Sequence, residues 1–149
     1  MEKKGFTIIE LLVVIAIIAI LVSISLVLFG GPRAKSRDAR READMTQIRN
    51  ALGLYASNNG TYPICDTTTT INGTTDCLSD KLINAKAISA VPTDPMQSGS
   101  CGAGWPPDTL PLSNHVYCYR TTPDGTAYAI YYNRETSDNK PVGWNFITP

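Results

Sequence analysis

Gly5-Phe6-Thr7-Ile8-Ile9-Glu10-Leu11-Leu12 opens an apolar run that ends at Phe29, and only Met1-Glu2-Lys3-Lys4 stands before it. From Leu11 to Phe29 the polar residues are Ser23 and Ser25, and no charge interrupts the stretch. As a helix, these nineteen residues approach the roughly 30 Å of a bilayer's hydrocarbon core. Glu10 is a lone carboxylate near the front. An ionisable group in lipid costs on the order of 2.5–3.5 kcal/mol at mid-membrane and less near an interface, so Glu10 calls for a partner. A removable secretory signal peptide fits this run poorly. Its apolar core is about 7–15 residues long and ends at a small-residue cut site, whereas Ser23-Ile24-Ser25 lies inside the run. A plain uncleaved anchor is the second reading.

The leader resembles that of type IV pilins and type II secretion pseudopilins. In that family a short basic leader ends in Gly, Phe usually follows, and Glu stands fifth in the mature chain. Lys3, Lys4, Gly5, Phe6 and Glu10 fill those places one for one. The resemblance implies that prepilin peptidase cuts between Gly5 and Phe6, leaves the apolar helix attached, and methylates the new amine of Phe6. Glycine suits a bond that must lie extended in a protease site, because no Cβ restricts it. Cutting turns the Phe6 amide into an α-amine of pKa about 8, mostly cationic at neutral pH. In the family the Glu10 position is thought to pair with the mature amine of a neighbouring subunit as helices pass from membrane to filament. Breaking such a buried pair costs about 3–5 kcal/mol, so the match also fixes register between apolar helices that would otherwise slide. The simpler alternative is that Glu10 favours its own helix N-terminus or an i,i+4 partner.

The flanking charges conflict with that address. Two lysines precede the run, and Arg33, Lys35, Arg37, Arg40 and Arg41 follow it. A positive-inside count alone would hold the C-terminal part in the cytoplasm. The family resemblance and the cysteines imply an inner-membrane, single-pass protein with its C-terminal domain outside the cytoplasm, and a leader motif is the more specific signal.

Residues 30–149 leave room for one small domain. Overall charge balances at 13 basic against 13 acidic residues, and loss of Met1–Gly5 leaves 11 against 12, so nothing demands a polyanionic partner. Cys65, Cys77, Cys101 and Cys118 all follow the apolar run. An even set in a small exported domain reads as a disulfide framework, and four cysteines allow three pairings. Cys65 with Cys77 and Cys101 with Cys118 would close two short polar loops, while no spacing matches a zinc pattern.

Gly30-Gly31-Pro32 reads as a helix break, since Pro removes a hydrogen bond and Gly forms helix poorly. In the resembled family such a break lets the helix stretch; a simple hinge is the alternative. Ala34–Ser57 then reads as amphipathic helix, with Met45, Ile48, Leu52 and Tyr55 in one stripe, Ala51 and Leu54 alongside, and Asn58-Asn59-Gly60 as its stop. Arg37, Asp38, Arg40, Arg41, Glu42 and Asp44 read as a solvated, mixed-charge face. A nucleic-acid role for these arginines would belong to a DNA-uptake filament and is the lesser reading. Tyr55, Asn59-Gly60-Thr61-Tyr62-Pro63 and Val91-Pro92-Thr93-Asp94-Pro95 extend the resemblance, towards major pseudopilins, over roughly the first 95 residues. Beyond them the chain departs. Glu135, Asp138 and Asn139 do not reproduce the calcium loop of major pseudopilins, so a surface loop is expected there, a calcium site is the alternative, and no other cofactor is implied.

Between Cys65 and Cys77 lies a polar, turn-rich loop, in which Asn72-Gly73-Thr74, like Asn59-Gly60-Thr61, is both a glycosylation sequon and an ordinary turn. Leu82–Ile88 is predicted as a short helix capped by Ser79. His115–Arg120 and Thr126–Tyr132 read as strands joined by the turn Thr122-Pro123-Asp124-Gly125, with Val142–Ile147 a third. These elements make the fold class α+β, and the resemblance implies a type IV pilin fold with a long N-terminal helix, half membrane-spanning and half amphipathic, on a small antiparallel sheet. Its parts are a leader at 1–5, the assembly helix at 6–29, the kink and amphipathic helix at 30–63, and a disulfide-stapled head at 64–149.

Catalysis finds no support. His115 is the one histidine, no phosphate loop or nucleophile motif occurs, and Ser98 and Ser100 have no evident base. The resemblance implies a filament subunit, polymerised with other pilin-like chains by an inner-membrane assembly platform. The rival is an anchored extracytoplasmic binding domain that never polymerises.

Overall fold

The computed structural model describes residues 5–27, 30–102, 113–137 and 141–149. Two compact units divide the chain, Met1–Ala34 and Lys35–Pro149.

In the first unit, helix α1 spans Ile8–Val27. Its described side chains, which end at Ser23, are all exposed. Among the described residues, no helix is long and apolar enough to cross a membrane. Helix α2 runs Gly30–Asn59, and its first turn holds Gly30, Gly31 and Pro32. Proline is tolerated in a first turn because its missing N–H would have had no intrahelical acceptor there. The interval between α1 and α2 falls on residues 28–29, outside the described residues.

The second unit is built on the apolar stripe of α2. Met45, Ile48, Ala51 and Leu52 are buried, and Tyr55 packs against them half-buried. Leu54, expected beside the stripe, is 48% exposed. At 100° per residue it lies a third of a turn from the core-facing rows. The helix stops at Asn59, and Gly60 takes a left-handed φ of +80° while its N–H still reaches Ala56 O at 2.8 Å. That conformation favours glycine, as the Asn58-Asn59-Gly60 signal anticipates.

Against this stripe stands a four-stranded antiparallel sheet in the order β1 (Thr69–Thr70), β2 (Cys118–Thr121), β3 (Tyr128–Arg134) and β4 (Gly143–Ile147). Tyr119 faces Ile130 across β2 and β3, and Tyr132 faces Asn145 across β3 and β4. Alternate residues Tyr117, Tyr119, Tyr128, Ile130 and Tyr132 join α2, Ile71, Leu78, Leu82 and Val91 in the main core. The opposite face carries a smaller cluster of Val116, Cys118, Ala129 and Tyr131, so β3 is buried on both sides. Thr122–Gly125 makes the expected turn, closed by Gly125 N–H to Thr122 O at 3.0 Å.

Three expectations need correction. His115 is outside β2 and forms an isolated bridge with Ser98. The Thr-rich loop supplies edge strand β1, pairing Thr69 with Tyr119 and Thr70 with Cys118. Helix α3 is Cys77–Asn84, earlier than Leu82–Ile88, and its N-cap is Asp76. Asp76 accepts from the amides of Ser79 (3.0 Å), Asn72 (2.9 Å) and Gly73 (3.2 Å), binding the preceding loop to the helix start. At the other end Lys86 N–H reaches Ile83 O and Ala87 N–H reaches Leu82 O, both at 2.9 Å. That pair of bonds is a Schellman closure, with Lys86 holding the left-handed φ of 54°.

Candidate assembly site

At the head of α1, Thr7 and Glu10 close a capping box. Glu10 Oε2 accepts from the Thr7 amide at 3.0 Å and from its hydroxyl at 2.9 Å, while the Glu10 amide donates to Thr7 Oγ1 at 3.3 Å. Within one chain, then, Glu10 serves its own helix N-terminus. The Thr-x-x-Glu spacing was visible in the sequence. A charge partner from a second chain would have to displace or share these bonds. Gly5 and Phe6 lie just ahead of the box, both exposed, Phe6 at 82%.

Both disulfides occur in the two-short-loop arrangement: Cys65–Cys77 with 12 residues of separation and Cys101–Cys118 with 17. The first closes the loop that carries β1 into α3. The second joins the segment before residues 103–112, which lie outside the described residues, to β2.

The mixed-charge face at the start of α2 is the main departure from expectation. Arg41 and Asp38 are buried, as is Asp44. The Arg41 guanidinium meets three carboxylates: Asp94 at 2.6 and 3.0 Å, Glu135 at 2.7 Å and Asp38 at 2.8 Å. His115 Nδ1 lies 3.3 Å from its Nη2. Arg37 holds the other side of Glu135, with Nε to Oε1 at 2.8 Å and a second contact from Nη2 to Oε2. Asp38 also accepts from the Thr136 hydroxyl at 2.7 Å and from the amides of Glu135 and Thr136. Arg134 reaches Glu42 at 2.7 Å. One buried cation thus ties α2 to the Val91–Pro95 turn and to the segment after β3.

The electrostatics follow. Its hydrogen bond to Arg37, helped by Arg41, holds Glu135 down to about 2. Burial opposes the charge on Asp38, but hydrogen bonds from Thr136, Glu135 and Arg41 outweigh it and leave its pKa lowered. Burial likewise opposes the Arg41 cation, and the bonds to Asp94 and Glu135 more than offset that. Asp44 goes the other way, raised by burial although the Tyr117 hydroxyl donates to it at 2.8 Å. Glu135 is therefore occupied by arginines and does not form an open calcium ligand. Asp138 and Asn139 lie outside the described residues. Among the described residues no group of three His, Cys, Asp or Glu side chains is placed to hold a metal ion.

Sequence reasoning missed this network because its members are far apart. Asp94 follows Arg41 by 53 residues and Glu135 by 94. The one available hint was an aspartate held between prolines in Pro92-Thr93-Asp94-Pro95.

Residues 1–26 match the family described as the prokaryotic N-terminal methylation motif. The chain carries that motif. It is also similar to the type II secretion system core protein G of Escherichia coli K12, with 34% identity over 62 residues, covering 42% of this chain and 43% of the relative. The protein of that name from Aeromonas hydrophila gives the same figures, and that of Vibrio cholerae O1 gives 32% over 65 residues, 44% of each. The match thus spans less than half the length of these curated relatives. No solved structure matches the chain. The arrangement, a long N-terminal helix followed by a small antiparallel sheet, is α+β and pilin-like.

Proposed function

We propose that this chain is a structural subunit of a type IV pilus-like filament, and in particular a pseudopilin-like subunit of a type II secretion system, not an enzyme. The observation that carries the reading is the methylation motif heading an apolar helix whose described side chains are all exposed. Such a helix needs lipid or other helices around it. On this reading α1 rests in the inner membrane with the head outside the cytoplasm. Prepilin peptidase cuts between Gly5 and Phe6 and methylates Phe6, and an assembly platform moves the helix into the filament. Repeating one head-to-tail contact gives an open helical polymer. Gly30, Gly31 and Pro32 mark where the helix yields as the filament stretches.

Glu10 then has two roles, a cap within its chain and a charge for the neighbour's amine. Glu10→Gln separates them, since glutamine also closes a capping box. The expected outcome is a chain that starts with N-methylated Phe6 by intact mass, sits in the membrane, and forms no filaments. Normal filaments from Glu10→Gln would remove the charge pair from the scheme, and an intact Met1 in wild type would remove the processing.

A further inference from the structure

Along one side of the second unit, α2 and β4 leave a groove of about 210 Å³, lined by Glu42, Met45, Thr46 and Arg49 from the helix and by Tyr132 and Ile147 from the sheet. Met45 and Tyr132 are buried and Ile147 is half-buried, so the floor is apolar. On the rim Glu42 is held by Arg134 at 2.7 Å. Arg49 is exposed, and among the described residues its guanidinium has neither an ion pair nor a hydrogen bond. β4 is the last strand in the sheet order, so among the described residues no further strand covers this side. The groove is smaller than the roughly 300–1,000 Å³ of small-molecule sites. It has the size for a side chain of another protein, apolar and next to a carboxylate.

This chain displays such a pair. Ile64 is 37% exposed, Cys65 is buried and Asp66 is exposed, an alternation that sends Ile64 and Asp66 to one side of the backbone. The Asp66 carboxylate, like Arg49, has no ion pair or hydrogen bond among the described residues. The segment is held in place: Cys65 is bridged to Cys77, its amide donates to Thr121 Oγ1 at 3.1 Å, and the Ile64 carbonyl accepts from Lys81 Nζ at 2.7 Å. The Tyr62 amide, donating to Gly125 O at 2.9 Å, ties it to the β2–β3 turn. Knob and groove share no residue, so one chain can present both.

We propose that Ile64 and Asp66 of one copy dock into the α2–β4 groove of the next, Ile64 on Met45, Tyr132 and Ile147, and the Asp66 carboxylate on Arg49. Residues two apart in an extended chain lie about 6.6 Å apart. Met45 and Arg49, one helical turn apart, are separated by about 5–6 Å. The two pairs thus match in spacing as well as in chemistry, an apolar side chain beside a charge of opposite sign. The contact rests on the filament reading above and supplies a head-to-tail interface of the kind that need not close.

The first measurement is the yield of filaments sheared from cells that express the full chain. Arg49→Glu and Asp66→Arg each set like charges against one another and are expected to cut the yield about tenfold or more, with melting temperature and processed mass unchanged. Combined, they restore opposite charges and should return it to within about twofold of wild type. In the second measurement, Arg49→Lys chains in membranes are treated with a carbodiimide, which joins an amine to a carboxylate with loss of water. A dimer band whose linked peptides join position 49 to Asp66 is expected, and it should vanish in Arg49→Lys/Asp66→Asn. Normal yield from both single reversals, or no recovery in the pair, overturns the docking. So does a link to a different protein, or none at all, even where filaments form normally. A 49-to-66 link in cells whose wild type makes no filaments would keep the docking and refute the polymer instead.

Discussion

Replacing Arg41 by methionine tests the buried network most directly. Methionine keeps the aliphatic volume and removes the cation from beside Asp38, Asp94 and Glu135. The three do not suffer equally. Glu135 keeps Arg37, and Asp38 keeps the Thr136 hydroxyl and two backbone amides. Asp94, with a fully buried side chain, keeps the Met96 amide at 2.9 Å. Leaving one buried charge unpaired costs about 3–5 kcal/mol, and for a unit of this size that lowers the melting temperature by roughly 12–20 °C. The assay is thermal melting of the full chain in detergent, followed by near-ultraviolet circular dichroism, which reports the packed tyrosines while α1 stays helical. At pH 7 the full loss is expected. Near pH 4 the gap should narrow, because the stranded carboxylate can take a proton. Adding Asp94→Asn to Arg41→Met should recover more stability than adding Glu135→Gln. A loss under about 5 °C, or a better rescue by Glu135→Gln, would refute the argument that Asp94 is the residue left exposed to the penalty.

Wild type should lose stability in acid. Glu135 is depressed from 4.5 to about 2, so its contribution is complete above about pH 5 and disappears as pH falls towards 2. Asp38, also lowered, adds to this trend, while Asp44, raised by burial, opposes it. Melts from pH 7 to 2 check the sum, and Glu135→Gln should flatten the curve. Lys86→Gly should stabilise by about 0.5–1 kcal/mol, since a left-handed C′ position suits glycine, and an unchanged denaturation midpoint would count against that. Asp76→Ala removes the cap shared by Ser79, Asn72 and Gly73 and should cost about 1–2 kcal/mol in chemical denaturation, with α3 amides exchanging faster.

Local features were legible in the sequence and distant ones were not. The stripe Met45, Ile48, Leu52 repeats at helical spacing, so its burial follows from periodicity alone. The Thr122–Gly125 turn and the Asn58-Asn59-Gly60 stop declare themselves through residues that favour those backbones. Cys65–Cys77 and Cys101–Cys118 are short-range closures. Arg41 shows the opposite case. On a helix face a charged residue looks the same whether it meets water or a carboxylate 94 positions away, and only the fold brings Glu135 to it. β1 was hidden because threonines serve a polar loop as well as an edge strand, and α3 began early because Asp76, ahead of Ser79, already had three amides to accept.

The capping box at the start of α1 separates shape from charge. It is closed through the amide of Thr7, which stays an amide whether the chain begins at Met1 or at Phe6. Trimming before Phe6 would therefore leave the first turn of the helix as it was, and methylating the new amine would leave it unchanged again. A precursor and its mature form would share the box itself, while the mature chain has lost Glu2, Lys3 and Lys4 with the leader and gained a positive end one residue ahead of the box. The step that licenses assembly would then be an electrical one, made on a helix already folded for it.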